Sequence, residues 1–240
     1  MVEKILLGLT TTPGSDWQEK IKEIDRLGLR EVALFPTYLK PDERRELYYK
    51  LEQTKLKSIP HVHLRDDMEK WELELFWDRY GTRLFNTHAR LTDEKFINEV
   101  ANQYKENIFI ENGAVLNDKF FELAKKCGGF CFDVSHYHDF AEIQGDKDYK
   151  KLLESFKDEK IGCCHISAVA EKSGAFIDLI TGRSLKGYSF HYLNNHSEID
   201  YVEKYVDYLP EIISIELENS FEEQLEIVER LKEIISYDNF

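Results

Sequence analysis

The chain has 240 residues, 42% of them hydrophobic, with 32 Lys plus Arg against 46 Asp plus Glu and a formal net charge of -14. That apolar share supports a sizeable core and excludes wholesale disorder. The acidic excess argues against nucleic acid or an anionic membrane as a partner, because such binding draws on clustered cations.

MVEKILLGLT lacks a small-residue cleavage site and soon meets Pro13, so it reads as a first strand and not as a signal peptide. Strand-like runs then recur over 4–9, 31–35, 58–64, 82–87, 107–112, 129–134, 160–166 and 211–217. Segments with helical spacing follow them, among them WQEKIKEIDRLG, DERRELYYKLEQ, DEKFINEVANQYK and FEEQLEIVERLKEII. In the last of these Phe221, Leu225, Val228 and Leu231 form the predicted buried stripe, with Ser220 as N-cap; Gly28 closes the first helix.

Eight strand–helix units in a chain of this size predict a single (β/α)8 TIM barrel spanning 1–240. A doubly wound sheet would want a Gly-rich phosphate loop after strand one, and LGLTTTPGSDW has none. No apolar run is long enough to cross a membrane. Cys127, Cys131, Cys163 and Cys164 match no CxxC pattern and are too few to staple the chain, which suggests a reducing, cytoplasmic setting. Tyr48, Tyr49, Tyr201, Tyr205 and Tyr208 on outer helices are candidates for a homo-oligomer interface.

In such a barrel the chemistry sits at the C-terminal ends of the strands. Strand three ends near His63, strand four near His88, strand five at Glu111, strand six at Asp133 followed by His136, strand seven at His165, and strand eight at Glu216 and Glu218. Six consecutive strands thus end in a side chain able to ligate a metal, and a shared metal site is the expectation. Any one of these residues alone would read as a cap or a solvated turn. Glu216, still within the apolar strand, is preferred over Glu218. By alternation Cys131 and Cys163 fill a lower layer as small apolar residues, and His61 reads as a satisfied core histidine. Arg183 and Lys186, among glycines after strand seven, form either a clamp for a phosphate or carboxylate or a solvated loop.

The motifs HVHL, FNTHA, IFIENGA, CFDVSHYH, CCHIS and ISIELEN, in that order, resemble the xylose isomerase-like barrel superfamily. That group comprises sugar and sugar-phosphate isomerases and epimerases and the endonuclease IV type of DNA-repair enzyme. The resemblance implies a divalent metal (Mn, Co, Mg or Zn) held by Glu111, Asp133, His165 and Glu216. It implies Glu111 and Glu216 as catalytic acid and base, with His136 on the substrate. His63, His88, His191 and Arg183 complete the candidate substrate contacts. The implied activity is isomerisation or epimerisation of a small sugar-like compound. An endonuclease IV-like phosphodiesterase and a non-catalytic ligand-binding barrel are the alternatives. Where the superfamily often carries Asp-x-His after strand seven, this chain has Ser189 and His191, and Asn117 stands where epimerases often have a second glutamate.

Overall fold

A computed structural model describes residues 2–113, 116–156, 160–177 and 184–237. Nine parallel strands make a nearly closed barrel: β1 (Lys4–Leu6), β2 (Gly8–Thr10), β3 (Ala33–Phe35), β4 (His61–His63), β5 (Leu84–Thr87), β6 (Ile108–Glu111), β7 (Gly129–Asp133), β8 (Ile161–Ile166) and β11 (Ile212–Ile215). The ladder runs β1-β11-β8-β7-β6-β5-β4-β3-β2. Eight staves are therefore present, because β1 and β2 are halves of the single predicted first strand, divided at Leu7. One half pairs with β11 and the other with β3.

That division leaves a seam, which side chains from two helices close. α1 (Trp17–Leu27) supplies Lys20 and the last helix supplies Gln224. Gln224 accepts from the Gly8 N–H at 2.8 Å and donates to the Gly8 and Leu217 carbonyls at 3.0 and 3.1 Å. Lys20 Nζ donates to the same two carbonyls at 3.3 and 2.6 Å. Gly8 is required here, since a Cβ would lie 1.8 Å from the Ile215 carbonyl oxygen.

The helices cover the barrel as their patterns predict. In α1, Asp16 caps the first turn by accepting from the Glu19 N–H, Gly28 closes it in the left-handed region, and Trp17, Ile21 and Ile24 face inward. α2 (Pro41–Glu52) begins on a proline at its first position, where the missing N–H costs nothing. Next come α3 (Lys70–Glu74), α4 (Leu91–Glu99), α5 (Asp118–Lys126), α6 (Val134–Tyr137), and the short α7 (Lys147–Lys150) and α8 (Leu152–Ser155). α9 (Phe221–Tyr237) starts after Ser220, whose hydroxyl accepts from the Glu223 N–H. The predicted stripe of α9 needs one correction: Leu225 is 40% exposed, and the buried arc instead runs through Phe221, Gln224, Ile227, Val228, Leu231 and Ile234. The seam demands the Gln224 amide inside, and that rotation carries Leu225 to the edge.

Stave seven departs from the strand–helix pattern. After β8 come β9 (Ala168–Ile177) and β10 (Ser184–Phe190), an antiparallel hairpin, and then a 3-10 helix over His196–Tyr208. The two strands contain glycines and lack a 3.6-residue stripe, and strand pairing satisfies their backbone.

Residues of alternate parity divide two cores. Leu7, Leu34, Val62, Phe85, Ile110, Phe132, Cys164 and Ile213 pack outward against the helices. Inside the barrel, Leu6, Ala33 and Phe35 form one cluster and Phe109, Cys131 and Cys163 another. Of the candidate interface tyrosines, Tyr48, Tyr201 and Tyr205 are buried within this chain, whereas Tyr49 is 65% exposed. No helix among the described residues is long and apolar enough to cross a membrane.

Candidate metal centre

Glu111, Asp133 and His165 stand on the consecutive strands β6, β7 and β8, Glu216 directly follows the next, β11, and all four are buried. His165 lies at their centre. Its Nδ1 is 3.7 Å from Glu111 Oε2 and 3.3 Å from Glu216 Oε2. One ligand atom each from Asp133, His165 and Glu216 lie within 4.8 Å of one another, as do those of Glu111, Asp133 and His136. A third group joins His63, His88 and Glu111, with His63 Nε2 3.1 Å and His88 Nδ1 3.9 Å from the Glu111 carboxylate. His191, more open to solvent, approaches Glu216 Oε1 at 3.7 Å.

Asp133 gains its position from two neighbours. Its backbone is clasped by the Asn112 amide, which donates to the Asp133 carbonyl and accepts from its N–H at 2.9 and 2.8 Å. Its carboxylate caps α6 by accepting from the His136 N–H, and Ser135 donates a 2.5 Å hydrogen bond to the same oxygen. The opposite oxygen lies 3.1 Å from His136 Nδ1. Sharp turning from strand to helix therefore brings Asp133 and His136 to one place.

Hydrogen-bond logic fixes the donors and acceptors of this constellation. A carboxylate only accepts, so Asn86 must present its amide to Glu111, at 2.6 Å, and its oxygen to His61 Nε2, at 3.0 Å. The His61 proton is thereby placed on Nε2, and Nδ1 accepts from Ser214 Oγ at 2.8 Å. His63 Nδ1 donates to the Leu64 carbonyl, which leaves the Nε2 lone pair facing Glu111. Two acceptors in contact require a proton or a cation between them. The Nδ1 atoms of His165 and His88 are buried without a hydrogen-bond partner. Unsatisfied imidazole nitrogens among carboxylates suit a divalent cation, whose charge would satisfy both.

The same groups perturb one another's titration. Burial alone would raise the Glu111 carboxyl, but His88, His165 and His63 outweigh it and hold it well below the usual carboxylate range. Glu216 behaves likewise: burial is overcome by His191 and His165, and the group falls to about 2. Burial would lower His165, yet Glu111, Glu216 and Asp133 lift it to about 10. Burial lowers His88 against the pull of Glu111. His136 is raised, because Asp133, Glu111 and Glu216 overcome its burial.

Beneath this rim, Cys131 Sγ lies 3.4 Å from His165 Nε2, and His61 is hydrogen-bonded at both nitrogens, as a core histidine should be. Asn86 is a site residue that strand-end reading passes over, although alternation from His88 places it on the same strand face. The hairpin is fastened to the mouth by Asp139, which accepts from the N–H groups of Tyr188 and Ser189 at 2.6 and 3.0 Å and from Ser189 Oγ at 3.3 Å. Arg183 lies outside the described residues. Lys186 is exposed.

No family model matches the chain, and no curated protein matches it. Among solved structures it is similar to an uncharacterized protein from Parabacteroides distasonis, at 15% identity and a TM-score of 0.46 over 96% of this chain and 97% of that one.

Proposed function

We propose that this chain is a divalent-metal-dependent isomerase or epimerase of a small sugar or related hydroxy-carbonyl compound, of the kind its motifs resemble. The observation that supports the reading is the buried Nδ1 of His165, which has no hydrogen-bond partner and lies between the carboxylates of Glu111 and Glu216 from separate staves. Glu111, Asp133, His165 and Glu216 would hold the cation. Once bound, it would supply positive charge where a carbonyl oxygen gains negative charge as the neighbouring carbon loses its proton.

The protein's own groups then move the proton. Glu111 and Glu216 are held ionised, so either can accept a proton from carbon at neutral pH. The acid is the carboxyl that has just taken that proton. Each glutamate has a second oxygen turned to an outer imidazole, Glu111 to His88 and Glu216 to His191. Those histidines, with His63 and His136, border the space where sugar hydroxyls would be recognised. The four free cysteines fit a reducing, cytoplasmic setting.

The test is elemental analysis of the purified protein, followed by solvent-deuterium exchange into a panel of aldoses and ketoses with the metal found. Glu111→Gln and Glu216→Gln should each lower exchange by about 10²–10⁴-fold, the usual contribution of a positioned acid or base. Bound metal with no exchange into any panel member would remove the isomerase reading.

A second reading rests on the additional group His63, His88 and Glu111, which gives Glu111 two sets of neighbours. Adjacent cations sharing a carboxylate would suit phosphodiester hydrolysis of the endonuclease IV type. The net charge of -14 opposes it. Failure to bind abasic DNA at low salt eliminates this alternative.

A further inference from the structure

The layer of the barrel interior below the carboxylates is unusually polar. Barrel interiors are generally filled by branched apolar side chains. Here His61, Asn86, Cys131, Cys163 and Ser214 occupy this level, and none is measurably exposed. Single ligand atoms of His61, Cys131 and His165 lie within 4.8 Å of one another. Cys163 is the register partner of Cys131 across β7 and β8, and it shares a strand face with His165. The His61 and His165 rings are 5.1 Å apart, tilted by 36°.

We infer that His61, Cys131, Cys163 and His165 form a second cation site inside the barrel, selective for a thiophilic divalent ion of the zinc, cadmium or cobalt class. The spacing suits such an ion. Ligands about 2.0–2.3 Å from a tetrahedral zinc stand about 3.3–3.8 Å from each other, and Cys131 Sγ is already 3.4 Å from His165 Nε2. The tautomer imposed by Asn86 leaves a lone pair on His61 Nδ1, which the cation would take in place of the Ser214 hydroxyl. Two thiolates neutralise a divalent charge, which is what makes a dry site tolerable. Loading releases the two thiol protons and any proton on His165 Nε2 to solvent, and with a cation on each nitrogen His165 is bound as the imidazolate, its last ring proton also leaving to solvent. His165 would then serve two sites, with Nδ1 toward the carboxylates and Nε2 toward sulfur. Soft and hard ligands on its two sides give the sites different ion preferences. Three of the four residues lie outside the proposed catalytic set, so this inference stands apart from the isomerase reading.

The test is optical. The whole protein, with thiols reduced and metal removed by chelation, is titrated with Co²⁺ to a constant spectrum. A sulfur-to-cobalt charge-transfer band should saturate at the intensity of one bound cobalt, within two equivalents where the rim fills as well. Cys131→Ser and Cys163→Ser should each weaken apparent affinity for that band at least tenfold, while Glu111→Gln and Glu216→Gln leave it in place. A folded protein with no such band, or an undiminished band in the double cysteine variant, overturns the site. If the cysteine variants do not fold, cadmium-edge X-ray absorption of the unmutated protein decides: two sulfur neighbours support the assignment, and oxygen and nitrogen neighbours alone refute it. Failure of the isomerase reading leaves this band untouched, so the two outcomes separate.

Discussion

Lys20 shows how strongly one side chain can depend on its surroundings. Burial pulls its ammonium down to about 7, against the opposing influence of Glu218, Glu23 and Glu223. Between about 7 and the usual lysine value the unfolded chain binds the proton and the folded chain does not. Stability therefore rises with pH across that window, by at most ~1.4 kcal/mol per pH unit from this group. In Lys20→Met the slope should flatten, as read from urea midpoints at pH 7 and 9. Both carbonyls that Lys20 touches keep a bond from Gln224, so the variant should fold. An unchanged slope would locate the pH dependence elsewhere.

At the level of elements, the seam and the hairpin matter most. Gln224→Leu strips the partner from the Gly8 N–H and removes the donor to the Asn219 carbonyl. Each of these two buried groups left unpaired costs about 1–3 kcal/mol, so a loss of about 2–6 kcal/mol is expected in denaturant unfolding. Leu225→Gln, on the exposed edge of the same helix, should change stability by no more than about 0.5 kcal/mol. Equal effects in the two variants would contradict the assigned helix rotation. Asp139→Ala removes the acceptor that anchors β10. Amide exchange at Tyr188 and Ser189 should then quicken by at least tenfold, with the barrel strands unaffected.

For the molecule as a whole, the rim gathers buried carboxylates and imidazoles from several staves, a set that could hold a cation. A cation that binds only the folded chain stabilises it by about 2.7 kcal/mol at a hundredfold excess over its Kd. Chelation should lower Tm and metal restore it, and Asp133→Asn or Glu111→Gln should diminish that response. Unchanged metal content in both variants would defeat the centre.

Much of this arrangement can be read from residue order, because a strand's period of two and a helix's 3.6 are written locally. Eight apolar runs mark the staves, and a ligating residue at the end of most of them marks the rim. Chain order put Glu111, Asp133, His165 and Glu216 at strand ends, and barrel closure brings those side chains to one rim. What periodicity could not show is which polar side chain goes inward. Gln224, Asn86 and Lys20 are buried because backbone groups or carboxylates distant in sequence need them, and only closure of the barrel creates those needs. The hairpin after β8 and the proximity of His165 to both Glu111 and Cys131 were likewise decided by tertiary structure, since they depend on how neighbouring staves align in register and not on any single segment.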